Sequence, residues 1–133
     1  GLHYWDGKRV RTLLAHRDAI GLGRYHALAR SPDGGLYYSD PERLYRAAAG
    51  PGGFGPVEAV ARFPLIRAIV PAAEGTWLAS WGEGLALVHE GKLTNYGFPA
   101  REDLQGMTVI GLNERFLALG SNHGVYFFDR QAR

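Results

Sequence analysis

Apolar residues along this chain come in short clusters of four to six rather than at helical spacing, and each cluster is closed by a turn signal. The stretch GTWLASWGEGLALVHEGK, residues 75–92, is the clearest case. Two apolar strands meet at a hinge, Trp81-Gly82-Glu83-Gly84, and the second runs into Glu90-Gly91. The pattern recurs. Aligning Gly1-Leu2, Arg43-Leu44, Gly84-Leu85 and Gly124-Val125 gives steps of 42, 41 and 40 between the apolar second positions. A second anchor agrees, because Tyr37, Trp77 and Phe116 place an aromatic ahead of each hinge at steps of 40 and 39.

Around these anchors the periodicity predicts a unit of four short strands in about 40 residues. Strand A covers His26–Arg30, Ile66–Val70 and Met107–Leu112. A turn follows at Pro32-Asp33-Gly34-Gly35, Glu74-Gly75 or Asn113-Glu114, and then the aromatic strand B. Strand C follows the hinge, and strand D is read at Arg9–Leu14, Val57–Phe63 and Lys92–Phe98. The expected fold class is all-β, with β-propeller blades of four antiparallel strands and about three repeats. The chain reads as a single β-propeller segment over 1–133: strands C and D of one blade at 1–15, blades at 26–63 and 66–98, and an incomplete blade at 107–130. A mid-blade strand is covered on both sides, so Tyr37, Trp77 and Phe116 are expected to fill the wedge between neighbours, while Gly84 and Gly124 supply the turn backbone. The glycines of 21–25 and of GPGGFGP, 50–56, read as long loops, since neither lies between a strand and a helix as a phosphate cradle requires.

The small inner strand, the acidic-glycine turn, the aromatic-x-aliphatic strand and the Gly-Leu strand together resemble the repeats of two-component-regulator propellers, best in IRAIVPAAEGTWLASWGEGLALVHEGKLTNYG, residues 66–97. The likeness spans nearly the whole chain, with Arg43 replacing the hinge glycine in the first full repeat and Asn113-Glu114 the usual Asp-Gly in the last. It implies a sensor domain of bacterial hybrid histidine kinases and related regulators, on the periplasmic or extracytoplasmic side. Three periods are too few for a ring, so a partial ring or fragment is expected, completed by remaining blades or by other copies of the chain.

Composition adds limits. With 46% hydrophobic and 21% charged residues the chain can bury a core. There is no cysteine, hence no disulfide and no thiolate metal site. No apolar run is long enough for a membrane-spanning helix. The net charge is +2, and Lys8, Arg9, Arg11, Arg17, Arg24 and Arg30 crowd the first thirty residues. Their spacing matches no nucleic-acid module, so a solvated strand face is the reading and nucleic acid is not an expected partner.

Candidate chemistry falls on loops that blades gather on one face. The B-to-C hinges offer Asp40, Glu42, Trp81, Glu83, Asn122 and His123, and the D-to-A connections offer His16, Arg17, Asp18, Arg24, Arg101, Glu102 and Asp103. The six hinge residues are the ligand-binding candidates. No catalytic residue, cofactor or resident metal is expected, and His3, His26 and His89 are read as structural or exposed. The leading expectation is a non-enzymatic sensor or interaction propeller that takes a small-molecule or carbohydrate ligand, or a protein partner. The alternatives are a lactonase- or lyase-type propeller enzyme with a metal near Asp40, Glu83, Asn122 and His123, and a lectin-like oligomer using Trp81 as a stacking platform.

Overall fold

The computed structural model describes residues 2–14, 26–98 and 106–132. Among them every regular element is a strand: β1 (Leu2–Trp5), β2 (Val10–Leu14), β3 (Leu28–Arg30), β4 (Leu36–Ser39), β5 (Arg43–Gly50), β6 (Gly53–Arg62), β7 (Ile66–Ala72), β8 (Gly75–Ser80), β9 (Gly84–His89), β10 (Lys92–Gly97), β11 (Met107–Leu112), β12 (Phe116–Ser121) and β13 (Gly124–Asp129). They form an opening hairpin β1-β2, a first blade β3-β4-β5-β6, a middle blade β7-β8-β9-β10 and a three-stranded last blade β11-β12-β13. All pairings are antiparallel and follow chain order, and no sheet closes on itself. The all-β architecture of four-stranded blades is therefore observed, as an open stack.

Face-to-face packing explains the patterning. In the middle blade, Ile66, Ile69, Leu78, Ala86 and Val88 pack on the first blade with Leu44 and Phe63. Its opposite face, Trp77, Ala79, Leu85 and Leu87, packs on Met107, Ile110, Leu117 and Leu119 of the last blade. A sheet covered on both sides has no solvent face to mark with polar residues, which is why β8 and β9 lack alternation. The aromatic of each strand B looks toward the following blade. Trp77 is fully buried and lies against Tyr96 and Phe128 at ring distances of 5.7 and 5.6 Å. Tyr37 is only half-buried beside the middle blade, and Phe116 sits on a face over which no described residues form a blade.

The hinge glycine is a geometric requirement. Gly84 has φ +83°, and a Cβ there would run into the Gly97 carbonyl and lie 2.9 Å from the Phe98 nitrogen, all backbone with little room to move. Gly84→Ala is expected to cost about 2 kcal/mol, whereas Gly91→Ala, with φ +76° but open space around it, should cost about half as much in the same urea melt.

One expectation is corrected. GPGGFGP is not a long loop: β5 continues to Gly50, the turn is only Pro51-Gly52, and β6 starts at Gly53, ahead of the expected Val57. Gly52 and Gly53, at φ +82° and +127°, supply the backbone of a tight hairpin. Gly53 also lets the Tyr4 ring approach, since a Cβ would sit 2.9 Å from its edge. Tyr4 meets Phe54 edge-on at 5.4 Å and its hydroxyl donates to the Gly52 carbonyl, which fastens the opening hairpin to the first blade.

Candidate functional site

The three hinges lie at one end of the blades, and backbone hydrogen bonds stitch the first two in series. Leu65 N–H donates to the Pro41 carbonyl, Trp81 N–H to the Leu65 carbonyl, and Gly106 N–H to the Trp81 carbonyl, each at 3.0 Å. Gly106 opens the last blade, so the hinge row runs across all three blades. The resulting surface is fixed by main chain rather than by side-chain choice.

Several polar groups there are consumed by turn construction. Asp40 accepts from the Glu42 and Arg43 amides at 2.8 Å and from the Tyr45 hydroxyl at 2.8 Å. Ser80 Oγ donates to the Pro64 carbonyl and accepts from the Gly82 and Glu83 amides, and Ser121 Oγ accepts from the His123 amide. These are Asx- and Ser-turns that hold a strand reversal. Glu42, Glu83, Asn122 and His123 project as exposed side chains. Burial raises the pKa of the neighbouring Tyr38 hydroxyl, and the Asp40 charge adds to the shift. His26 is exposed, with Nδ1 2.6 Å from that hydroxyl, and is thus tied to strand B.

The structure brings two of the six candidates together. The Trp81 ring and Asn122 Nδ2 both lie 3.1 Å from where a Cβ would stand on Gly106. Arg67 covers the Trp81 ring, 5.8 Å from its centre. Trp81 is therefore half-buried against the last blade rather than free on a rim. Trp81→Ala is expected to cost about 1 kcal/mol, to be read as a small fall in melting temperature. The alternative metal set is not assembled: among the described residues no three His, Asp or Glu side chains are grouped to hold a cation, so Asp40, Glu83 and His123 do not converge. Asp40 spends its oxygens on its own turn. The D-to-A residues His16, Arg17, Asp18, Arg24, Arg101, Glu102 and Asp103 lie outside the described residues.

A concavity that the sequence reading did not anticipate opens at the opposite end of the blades, where the A-to-B and C-to-D turns lie. It is a groove of about 350 Å³ between the first and middle blades, walled by Tyr37, Arg46, Glu58, Thr76, His89 and Glu90 among others. None of the six hinge candidates lines it. Arg46 is bound to Asp33 through one terminal nitrogen, while its Nε is buried without a hydrogen-bond partner among the described residues. The signal was present in the repeat. Arg46 stands two residues after Leu44, where the middle blade has Leu87 two residues after Leu85.

Comparison with family models, with curated proteins and with solved structures returned no match.

Proposed function

We infer that the chain is a ligand- or partner-binding segment of a β-propeller, and that sensing is the role its repeat pattern suggests through the likeness to two-component-regulator propellers. The observation that carries the binding reading is the uncovered face of the last blade. Val125 and Phe127 are 65% and 71% exposed there, with Phe116 beside them. The corresponding positions of the middle blade, Leu85 and Leu87, are buried against the next sheet. A contiguous apolar face in the register of a blade interface supports completion by another surface, whether further blades, other copies or a protein partner.

Light scattering behind a sizing column tests this. The chain is expected to self-associate as concentration rises, and Phe127→Asp is expected to suppress the association without lowering the melting temperature by more than about 3 °C, since an exposed side chain contributes little to the isolated fold. A chain that stays monomeric at all concentrations and binds no apolar dye would overturn the reading.

A further inference from the structure

The two blade interfaces differ at one height. Between the middle and last blades the seam is closed by Leu87 and Leu117, both buried in one apolar cluster. Between the first and middle blades the corresponding positions are Arg46 and Thr76, and there the groove opens. The correspondence follows from the faces. Leu44 and Leu85 each look at the next blade with Arg46 and Leu87 two residues on, while Leu78 and Leu119 each look at the previous blade with Thr76 and Leu117 two residues before. Both walls of one seam thus carry polar groups where the repeat elsewhere seals with leucine. A sequence selected only to stack blades gains nothing from this, because a leucine pair buries apolar area and an arginine with a buried unpartnered Nε–H loses a hydrogen bond.

Charge in the groove is arranged in both signs. Arg46 and Glu58 are cross-strand neighbours on β5 and β6 and share a face, which puts a cation and an anion side by side. The ion-pair partner of Arg46 is Asp33, at the A-to-B turn. Glu58 is exposed, and Glu90 adds a second carboxylate across the groove. Tyr37 and Val88 supply apolar wall. A volume of about 350 Å³ is within the range of small-molecule sites.

We propose that this groove binds a small zwitterion of the amino-acid class, with its carboxylate at Arg46 and Thr76 and its ammonium at Glu58 and Glu90. A simple anion would meet two carboxylates and a simple cation would meet the guanidinium, whereas a zwitterion satisfies both signs and places its side chain on Tyr37 and Val88. The site lies at the opposite end of the blades from the hinges, and it stands whether or not the uncovered face is completed by another surface.

The test is a thermal melt of the chain with each of the twenty L-amino acids at millimolar concentration, with acetate and methylammonium as half-ligands and glucose as a neutral probe. At least one amino acid is expected to raise the midpoint by about 2–5 °C, and acetate, methylammonium and glucose to leave it unchanged. Arg46→Leu is expected to raise the unliganded midpoint by restoring the leucine seal and to abolish the ligand shift, and Glu58→Gln to reduce that shift. The proposal is overturned if no amino acid moves the midpoint, if a half-ligand or glucose moves it as much, or if the shift survives in Arg46→Leu.

Discussion

Replacing Trp77 with alanine is expected to lower the melting temperature by about 10–20 °C, a loss of about 3–5 kcal/mol. The side chain is fully buried, between the middle blade's own Tyr96 and the last blade's Phe128. Truncation leaves a cavity at the interface of two sheets, each held by its own ladder, so the site relaxes only in part. It also leaves Glu74 Oε1 without the indole N–H that donates to it at 2.8 Å. Trp77→Phe should recover more than half of the loss, since it restores ring volume but not the donor. A fall no larger than that of Trp81→Ala would contradict the placement of Trp77 at the centre of the stack.

Removing the Arg130 side chain is the second large effect, expected at about 2–3 kcal/mol near neutral pH. Arg130 grips Glu74 bidentately, Nε to Oε1 and a terminal nitrogen to Oε2, each at 2.6 Å, and its other terminal nitrogen donates to the Asn113 carbonyl. Both charged side chains are only 13% exposed. The pair therefore clamps the end of the last blade to the A-to-B turn of the middle blade. The guanidinium's hydrogen bonds hold the Glu74 carboxyl at about 2, against an ordinary value of 4.5, with the Trp77 indole contributing.

The sign of the pH dependence follows. Because the folded state binds this proton more weakly than the unfolded state, the contribution is complete above pH 4.5 and is lost as pH falls from there through about 2. In Arg130→Ala the dependence of stability on pH over that window should be shallower than in the unaltered chain, as followed by urea denaturation at several pH values. Equal slopes would mean that Glu74 is not the group being protected. Asp6, Asp33 and Asp129 also have lowered pKa values from hydrogen bonds, chiefly with Arg11, the Gly35 amide and Arg115 respectively. All three act in both proteins and cancel in the comparison.

Much of this architecture was written in periodic features. Leu44, Leu85 and Val125 read out the blade period, and Tyr37, Trp77 and Phe116 the face, because residues of one parity on paired strands point the same way; in register, Ala118 opposite Phe127 stands where Trp77 stands opposite Leu87, and Phe116 lies two residues farther from the hinge. Their differing burial was not legible, since it depends on whether a blade stands opposite. Phe116 and Trp77 look alike in sequence, but only one of them is covered.

The glycines of 50–56 misled for a different reason. Glycine marks positive φ as readily in a two-residue turn as in a loose loop, and the choice here turns on Tyr4, nearly fifty residues earlier, packing over Gly53. The hinge candidates were correctly placed as loop residues, yet Asp40 is engaged by its own turn and by Tyr45, which a list of loop residues does not reveal. The groove and the Arg130–Glu74 clamp both depend on which faces meet across blades. Arg46 becomes informative only once it is compared with Leu87 at the same height of the next seam.

The described residues form a stack in which the middle blade is covered on both faces and the last blade on one. Amide hydrogen exchange measures this strand by strand, at a concentration low enough to keep the chain monomeric. The slowest exchange is expected in β8 and β9, with β13, whose outer edge and outward face carry no neighbour among the described residues, exchanging at least tenfold faster. Protection of β13 equal to that of β8 in the monomer would contradict it.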